Sequence, residues 1–299
     1  MLEFYKPEIR DRDWIQPLLS ASGGMGSQDA FGTLFIWAGK YHTRICLRDD
    51  LLFTRYGKES YRFGFPVSTK NGEALYHGIS LLIQNAEELG MPLHLWGMTA
   101  VERDWLDALF PGRFRFTSTP DDSDYLYDSR DLAELAGRKY HSKRNHIARF
   151  RRQYDYSYEP VTADNLSDCE AVAREWCHLH GCGGELRDEN CAIVRTLRHY
   201  DDLHFRGGLI RIEGKPVAFT MGEEINPEVF DVHFEKALDG YDGLYPTINQ
   251  EFAARELTGY RLINREEDMG IPGLRKAKQS YYPAVLLEKF SAELVSPNL

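Results

Sequence analysis

The stretch GGLIRIEGKPVAFTMGEEI, Gly207 to Ile225, leaves the chain little choice of local structure. Leu209 to Ile212 and Val217 to Met221 are β-prone runs on either side of Glu213-Gly214-Lys215-Pro216, where glycine tolerates a left-handed backbone and proline fixes the next φ. They read as a hairpin. The following VFDVHFEKA sets Phe230, Val232 and Phe234 against Asp231, His233 and Glu235 with a period of two, extending the hairpin into a sheet with one apolar and one ionisable face. LDGYDGLYP then opens a helix over residues 245–257, whose N-terminal N–H groups and dipole suit an anion at the mouth of the strands.

The same order of elements reads twice along the chain. Upstream, the sequence predicts a helix over 28–39, strands over 43–50, 51–58 and 61–68, a helix over 72–89, a strand over 92–98, a helix over 101–109 and a strand over 113–119. Downstream come a basic helix, a strand over 156–161, helices over 165–180 and 189–200, the hairpin, the strand 229–237, the helix 245–257, a strand over 260–266, a helix over 273–280 and a strand over 284–290. Between the two lies TSTPDDSDYLYDSRDL, rich in turn and capping residues, which reads as a linker and sets domains at 1–128 and 129–299. Each half runs strands, helix, strand, helix, strand, as an internal structural repeat does.

Two blocks of charge stand out. GRKYHSKRNHIARFRR carries Arg138, Lys139, Lys143, Arg144, Arg149, Arg151 and Arg152 without an acid, while Ile147, Phe150 and Tyr154 form an apolar stripe. That pattern fits either an anionic partner, such as phosphate, pyrophosphate or tRNA bound along 138–152, or a basic face docked on the chain's own acids. The net charge of −10 opposes a surface that coats nucleic acid throughout. Near the end, INREEDMGIPGLRKAKQSYYP places Glu266, Glu267 and Asp268 before a Gly/Pro turn and Arg275, Lys276 and Lys278 after it. Acids beside bases at a sheet edge hold either an aminoacyl or zwitterionic substrate, through Asn264, Glu267, Asp268, Arg275 and Lys278, or simply each other.

The five cysteines, an odd number in a chain of 299 residues, argue against a disulfide framework. The group Cys177, His178, His180, Cys182 matches no common zinc spacing, so no metal is expected and the cysteines read as small apolar residues. No run approaches the roughly 20 apolar residues of a membrane span, and MLEFYKPEIRDRDW lacks the apolar core of a leader, so a cytoplasmic location is expected.

The order of elements resembles the GNAT acyltransferase fold, in which the fourth and fifth strands splay apart and the next loop cradles a donor pyrophosphate. The motifs GRKYHSKRNHIARF, VHFEKA, GLYPTINQEF and NREEDMGIPGLRKAKQSYYP resemble more closely the family of the phosphatidylglycerol lysyltransferase C-terminal domain, related to the Fem-type aminoacyl transferases. The resemblance covers nearly the whole chain. It implies an α/β (α+β) fold of tandem GNAT-like domains, each a mixed, mostly antiparallel sheet flanked by helices, with the active site in the second.

It also implies an acyl or aminoacyl transferase whose donor is acyl-CoA or aminoacyl-tRNA. The donor would lie on Gly240, Gly243, Leu244, Tyr245 and Asn249, with Lys143 and Arg144 nearby. Tyr245 stands where the usual donor loop has a small residue, which weighs against acyl-CoA. Transfer to an amine needs a base, sought among Glu223, Glu224, His233 and Glu235, and an acid for the leaving group, sought at Tyr281 or Tyr282. A tandem module that binds a metabolite or protein without catalysis is the alternative.

Overall fold

The computed structural model describes residues 1–69 and 72–295, and the chain divides into two compact units. The first takes residues 1–124, 267–275 and the chain from 286 onward; the second takes 125–266 and 276–285. A single cut after residue 128 does not describe this division.

Strands run in chain order β1 (Arg44–Arg48), β2 (Leu51–Tyr56), β3 (Arg62–Phe63), β4 (His94–Met98), β5 (Phe114–Ser118), β6 (Asp124–Asp128), β7 (Tyr156–Pro160), β8 (Arg206–Ile212), β9 (Lys215–Asn226), β10 (Val229–Ala237), β11 (Leu262–Asn264), β12 (Val285–Leu287) and β13 (Phe290–Leu294). Helices are α1 (Arg12–Ser22), α2 (Phe31–Ile36), α3 (Ala38–Tyr41), α4 (Gly72–Glu88), α5 (Ala100–Leu109), α6 (Ser129–Glu134), α7 (His141–Gln153), α8 (Leu166–Leu179), α9 (Glu185–Arg198), α10 (Leu244–Glu256) and α11 (Pro272–Gln279). Two sheets, one of six strands and one of seven, are mostly antiparallel and flanked by helices, the architecture implied by the tandem resemblance.

The sheets share one plan. In the first, β1, β2 and β3 are an antiparallel meander, α4 follows, and β4 returns parallel to β3. In the second, β7 to β10 form the meander, α10 follows, and β11 returns parallel to β10. In each, the strand between the parallel return and the sheet's edge is supplied by a distant part of the chain: β13 lies between β4 and β5, and β6 between β11 and β12. The strand that ends the first half thus completes the second sheet, and the strand that ends the second half completes the first.

This exchange corrects two sequence expectations. The supposed linker holds β6, whose Tyr125, Leu126 and Tyr127 are buried, because its strand residues sit between flanking Ser and Asp that read as turns. The single strand expected over 284–290 is two strands in different sheets, β12 and β13, separated at residues 288–289. The helix expected over 28–39 is also broken into a 3-10 turn, Ser27–Asp29, and the short helices α2 and α3.

Within the second unit, Phe150, Ile210, Val217, Leu244 and Ile248 pack as one apolar cluster between α7, α10 and the hairpin. Ile147 and Phe150, the expected apolar stripe of the basic helix, are buried there and in the neighbouring cluster around Phe230 and Phe252. Burying each such side chain contributes about 1.5–3 kcal/mol. That packing fixes α7 and α10 over the strands that carry the ionisable residues.

Candidate functional site

β10 and β11 pair only over Val229 to Asp231 and Leu262 to Asn264, after which β10 continues to Ala237 paired with β9 alone. The two parallel strands therefore part, and the residues just past their last register pair face a gap. Arg265, next after Asn264, crosses it: its Nη2 donates to Glu235 Oε1 at 2.9 Å. Asn249 Nδ2 of α10 donates to the other oxygen, Glu235 Oε2, at 3.1 Å. The guanidinium lies 5.1 Å from the centroid of the Tyr281 ring, and Lys143 Nζ of α7 lies 3.7 Å from the same ring.

Two buried polar atoms of this cluster have no hydrogen-bond partner among the described residues, Arg265 Nη1 and Asn249 Oδ1. Such groups are costly to leave bare, so they mark where a ligand's acceptor and donor would sit. Burial and the neighbouring Arg265 lower the Lys143 ammonium's pKa from 10.5 to about 8, Glu235 opposing them. A lysine with that pKa exchanges a proton near neutrality. Burial pushes the Tyr281 phenol well above its usual value, leaving it a neutral donor.

A second cluster lies deeper on β10. Asp231 stands opposite Glu223 of β9, a like-charge pair, and a bulge between Val232 and Phe234 inserts His233 as the extra residue. The imidazole is buried on the same side as Asp231 and Glu223. Its Nε2 meets Glu223 Oε1 and its Nδ1 meets Glu266 Oε1, each at 2.9 Å, with Asp231 Oδ2 at 3.6 Å from Nδ1. Burial works against the imidazolium, but Asp231 and the bonds to Glu223 and Glu266 outweigh it and raise its pKa well above 6.5. As a fully buried cation with both nitrogens engaged, His233 is not arranged as a base for a substrate amine, and Glu223 serves it as counter-ion. Asp231, His233 and Glu266 also bring one ligand atom each within 4.8 Å of one another.

The acid–base corner turns out to be an internal network. Asp268, fully buried, accepts two bonds from Arg275, at 2.7 Å each, and one from Gly270 N, and Arg275 also reaches Asp121 at 2.6 Å. Asn264 Oδ1 accepts from Glu266 N, and Lys278 Nζ donates to the Arg265 and Glu266 carbonyls, holding Glu266 at a positive φ of 57° with its carboxylate toward His233. Glu267 lies 3.6 Å from Lys289. None of the five expected substrate ligands belongs to the Glu235 cluster; Asn264 and Lys278 shape the turn beside it.

The basic helix spends most of its charge at home. Arg149 pairs with Asp242, Arg151 with Glu251, and Lys139 with Asp131, while Arg144 donates to the carbonyls of Leu135 and Gly137 at the end of α6. Arg144 is therefore a helix cap, and Arg138 and Arg152 remain exposed. In the loop before α10, Gly240 and Gly243 both take φ of 90°, and a Cβ at Gly243 would stand 2.6 Å from the His146 carbonyl oxygen, so the loop packs on α7. Leu244 is a core residue, and the Tyr245 hydroxyl accepts from Trp176 Nε1 at 3.1 Å. Tyr282 is half-exposed against Tyr140, whereas Tyr281 is the tyrosine that joins Glu235 and Arg265.

Sequence reasoning missed Arg265, although it directly follows Asn264 in a motif already singled out. It also missed a disulfide, since Cys177 and Cys182 are bonded. No helix among the described residues is long and apolar enough to cross a membrane.

Residues 22–293 match the family model described as phosphatidylglycerol lysyltransferase, C-terminal. The chain belongs to this family. Within the lysyltransferase C-terminal family's structural relatives, a conserved protein of unknown function from Bacteroides thetaiotaomicron is 38% identical, covering 98% of this chain and 100% of that one, with a TM-score of 0.94. The L-PGS of Bacillus licheniformis shares the fold at 14% identity, covering 94% and 91%, with a TM-score of 0.68. An uncharacterised protein of Mycoplasmoides gallisepticum is 19% identical over 209 residues, 68% of this chain; the match spans 65% of that relative's length.

Proposed function

We propose that the chain is an aminoacyl transferase that moves an acyl group from aminoacyl-tRNA to an amine or hydroxyl acceptor, with its centre where β10 and β11 part. The observation that carries this reading is the pair of buried, partnerless atoms, Arg265 Nη1 and Asn249 Oδ1, beside a lysine of lowered pKa. Family membership supports it, because the family is described by a lysyltransferase. Tyr245, bulky where a CoA-binding loop keeps a small residue, favours the tRNA ester over acyl-CoA as donor.

In this reading the neutral Lys143 amine takes the proton of the attacking nitrogen or oxygen as the new bond to the acyl carbon forms. Arg265 Nη1 donates to the oxyanion, which is where preorganised donors act most strongly. The bond from the acyl carbon to the ribose oxygen then breaks, and Lys143 returns the proton to that oxygen. Glu235 touches neither partner directly: it orients Arg265 and Asn249. Asn249 Oδ1 accepts from the aminoacyl ammonium.

Transfer of a labelled amino acid from purified aminoacylated tRNA to lipid and amine acceptors tests the reading. Wild-type transfer should fall about 100-fold or more in Arg265→Lys, on the scale of a lost oxyanion donor. The rate of wild type should rise with pH to a plateau above about 8, as Lys143 loses its proton. Transfer from acetyl-CoA with no tRNA activity would replace the donor; activity that persists unchanged in Lys143→Met and Arg265→Lys would sink the site.

A further inference from the structure

The corresponding place in the first unit is open. β3 and β4 share a single register pair, Phe63 with Leu95, and beyond it residues 65–68 and 99–102 border a cavity of about 350 Å3. That volume lies in the range of small-molecule sites. Its walls are largely apolar, with Phe65, Leu75, Val101, Trp105 and Leu287 among them. Among the described lining residues the only ionisable ones are two acids, Asp29 and Glu102; Lys289, outside the lining, acts on Asp29 electrostatically.

Both acids are held in place by one oxygen. Asp29 Oδ2 accepts from Gly26 N at 2.9 Å, and Glu102 Oε2 caps α5 by accepting from Thr99 N at 2.7 Å and Thr99 Oγ1 at 2.9 Å. In the loop of residues 23–26, a Cβ at Gly24 would stand 2.3 Å from Asp29 Cγ, so glycine there lets the backbone lie over that carboxyl. Burial and the Glu102 charge push the Asp29 carboxyl up to about 7, and burial raises Glu102 as well. A cation entering this apolar recess favours the charged form of both carboxyls, and the Trp105 and Phe65 rings favour the same sign.

We propose that this cavity binds a small molecule with a primary amine on an apolar, ring-sized body, its ammonium held by Asp29 and Glu102 and its body by Phe65, Leu75 and Trp105. The site is separate from the Glu235 cluster and stands whether or not the reading of that cluster does.

Calorimetric titration of the whole chain with phenethylamine, 2-phenylethanol and phenylacetate tests it. The amine should saturate one site, the alcohol should bind at least tenfold more weakly, and the acid should not bind. Asp29→Asn and Glu102→Gln, which keep the Gly26 bond and the helix cap, should each weaken the amine tenfold or more. Lys143→Met should leave it unchanged. Affinity should climb from pH 5 to pH 7 as Asp29 ionises and then level, with Glu102, Asp124, Lys289 and Tyr56 the charged or titratable groups acting on that carboxyl. Equal binding of amine and alcohol, absence of saturable binding at 10 mM scale in the folded wild type, or full affinity in Asp29→Asn would each overturn the proposal; melting curves of the variants confirm that they are folded.

Discussion

Where β3 and β4 part, the first unit leaves a cavity of about 350 Å3 walled by apolar side chains; where β10 and β11 part, the second closes the gap with an arginine and a glutamate. One backbone plan produces both places, since in each sheet the parallel strands joined through a helix pair over only a few residues. What occupies the gap is decided by the few residues just past the last register pair. Phe65 and Leu75 line the first gap with apolar surface; Glu235 and Arg265 bridge the second with charge. A repeat in topology is thus a repeat of position, and chemistry is written separately into each copy.

The contrast breaks most sharply at His233. Replacing it with Gln leaves Glu223 and Asp231 buried without their counter-ion, and should cost about 3–5 kcal/mol in urea unfolding at neutral pH. Because the native imidazole's pKa is raised, its contribution is complete below about 6.5 and is lost as pH climbs toward the native value. The wild-type stability should therefore decline on the alkaline side, and the His233→Gln curve should be lower and flatter there. A wild-type curve that is flat from pH 7 to 10 would mean the imidazole is neutral in the fold.

Asp29→Asn, in the other unit, should act with the opposite sign. A carboxyl whose native pKa is raised from 3.8 to about 7 disfavours the fold increasingly as pH rises through that interval. The substitution should be neutral near pH 3 and stabilising above pH 7, by about 2 kcal/mol, half of what the full shift converts to, since a cavity open to water softens the cost. Thermal unfolding across that range measures it. The smallest effect is expected on the basic helix, where Arg138→Glu and Arg152→Glu, both exposed, should change stability by no more than about 0.5 kcal/mol. A larger loss would show that these arginines support the fold.

Much of the fold was legible because period and turn chemistry are local. The hairpin, the strand 229–237 and the apolar stripe Ile147 and Phe150 needed no knowledge of distant partners. β6 was hidden because Asp124 and Asp128 bracket its three apolar residues with turn-like chemistry, and the exchange of β6 and β13 was hidden because pairing partners leave no mark in a local pattern. At the site, Lys143, Asn249 and Glu235 were singled out from sequence, each for a reason that the structure modifies. His233 looked like a base because it lies on the ionisable face of its strand and a free imidazole titrates near neutrality. Its burial depends on Glu223 of β9 and on Glu266 of a distant turn, which one strand's sequence does not display. Arg275 and Asp268 looked like ligands because opposite charges at a corner read alike whether they wait for a substrate or hold one another.

The strand exchange sets an order on assembly. β13 lies between β4 and β5, so the first sheet keeps an unfilled slot with two open edges until residues near 290 have been made, long after the other strands of that sheet. The second sheet, by contrast, receives β6 before its own meander is synthesised. The half that leaves the ribosome first therefore closes only with the last strand made, and the pairing that closes it spans nearly two hundred residues of chain from Met98 to Phe290.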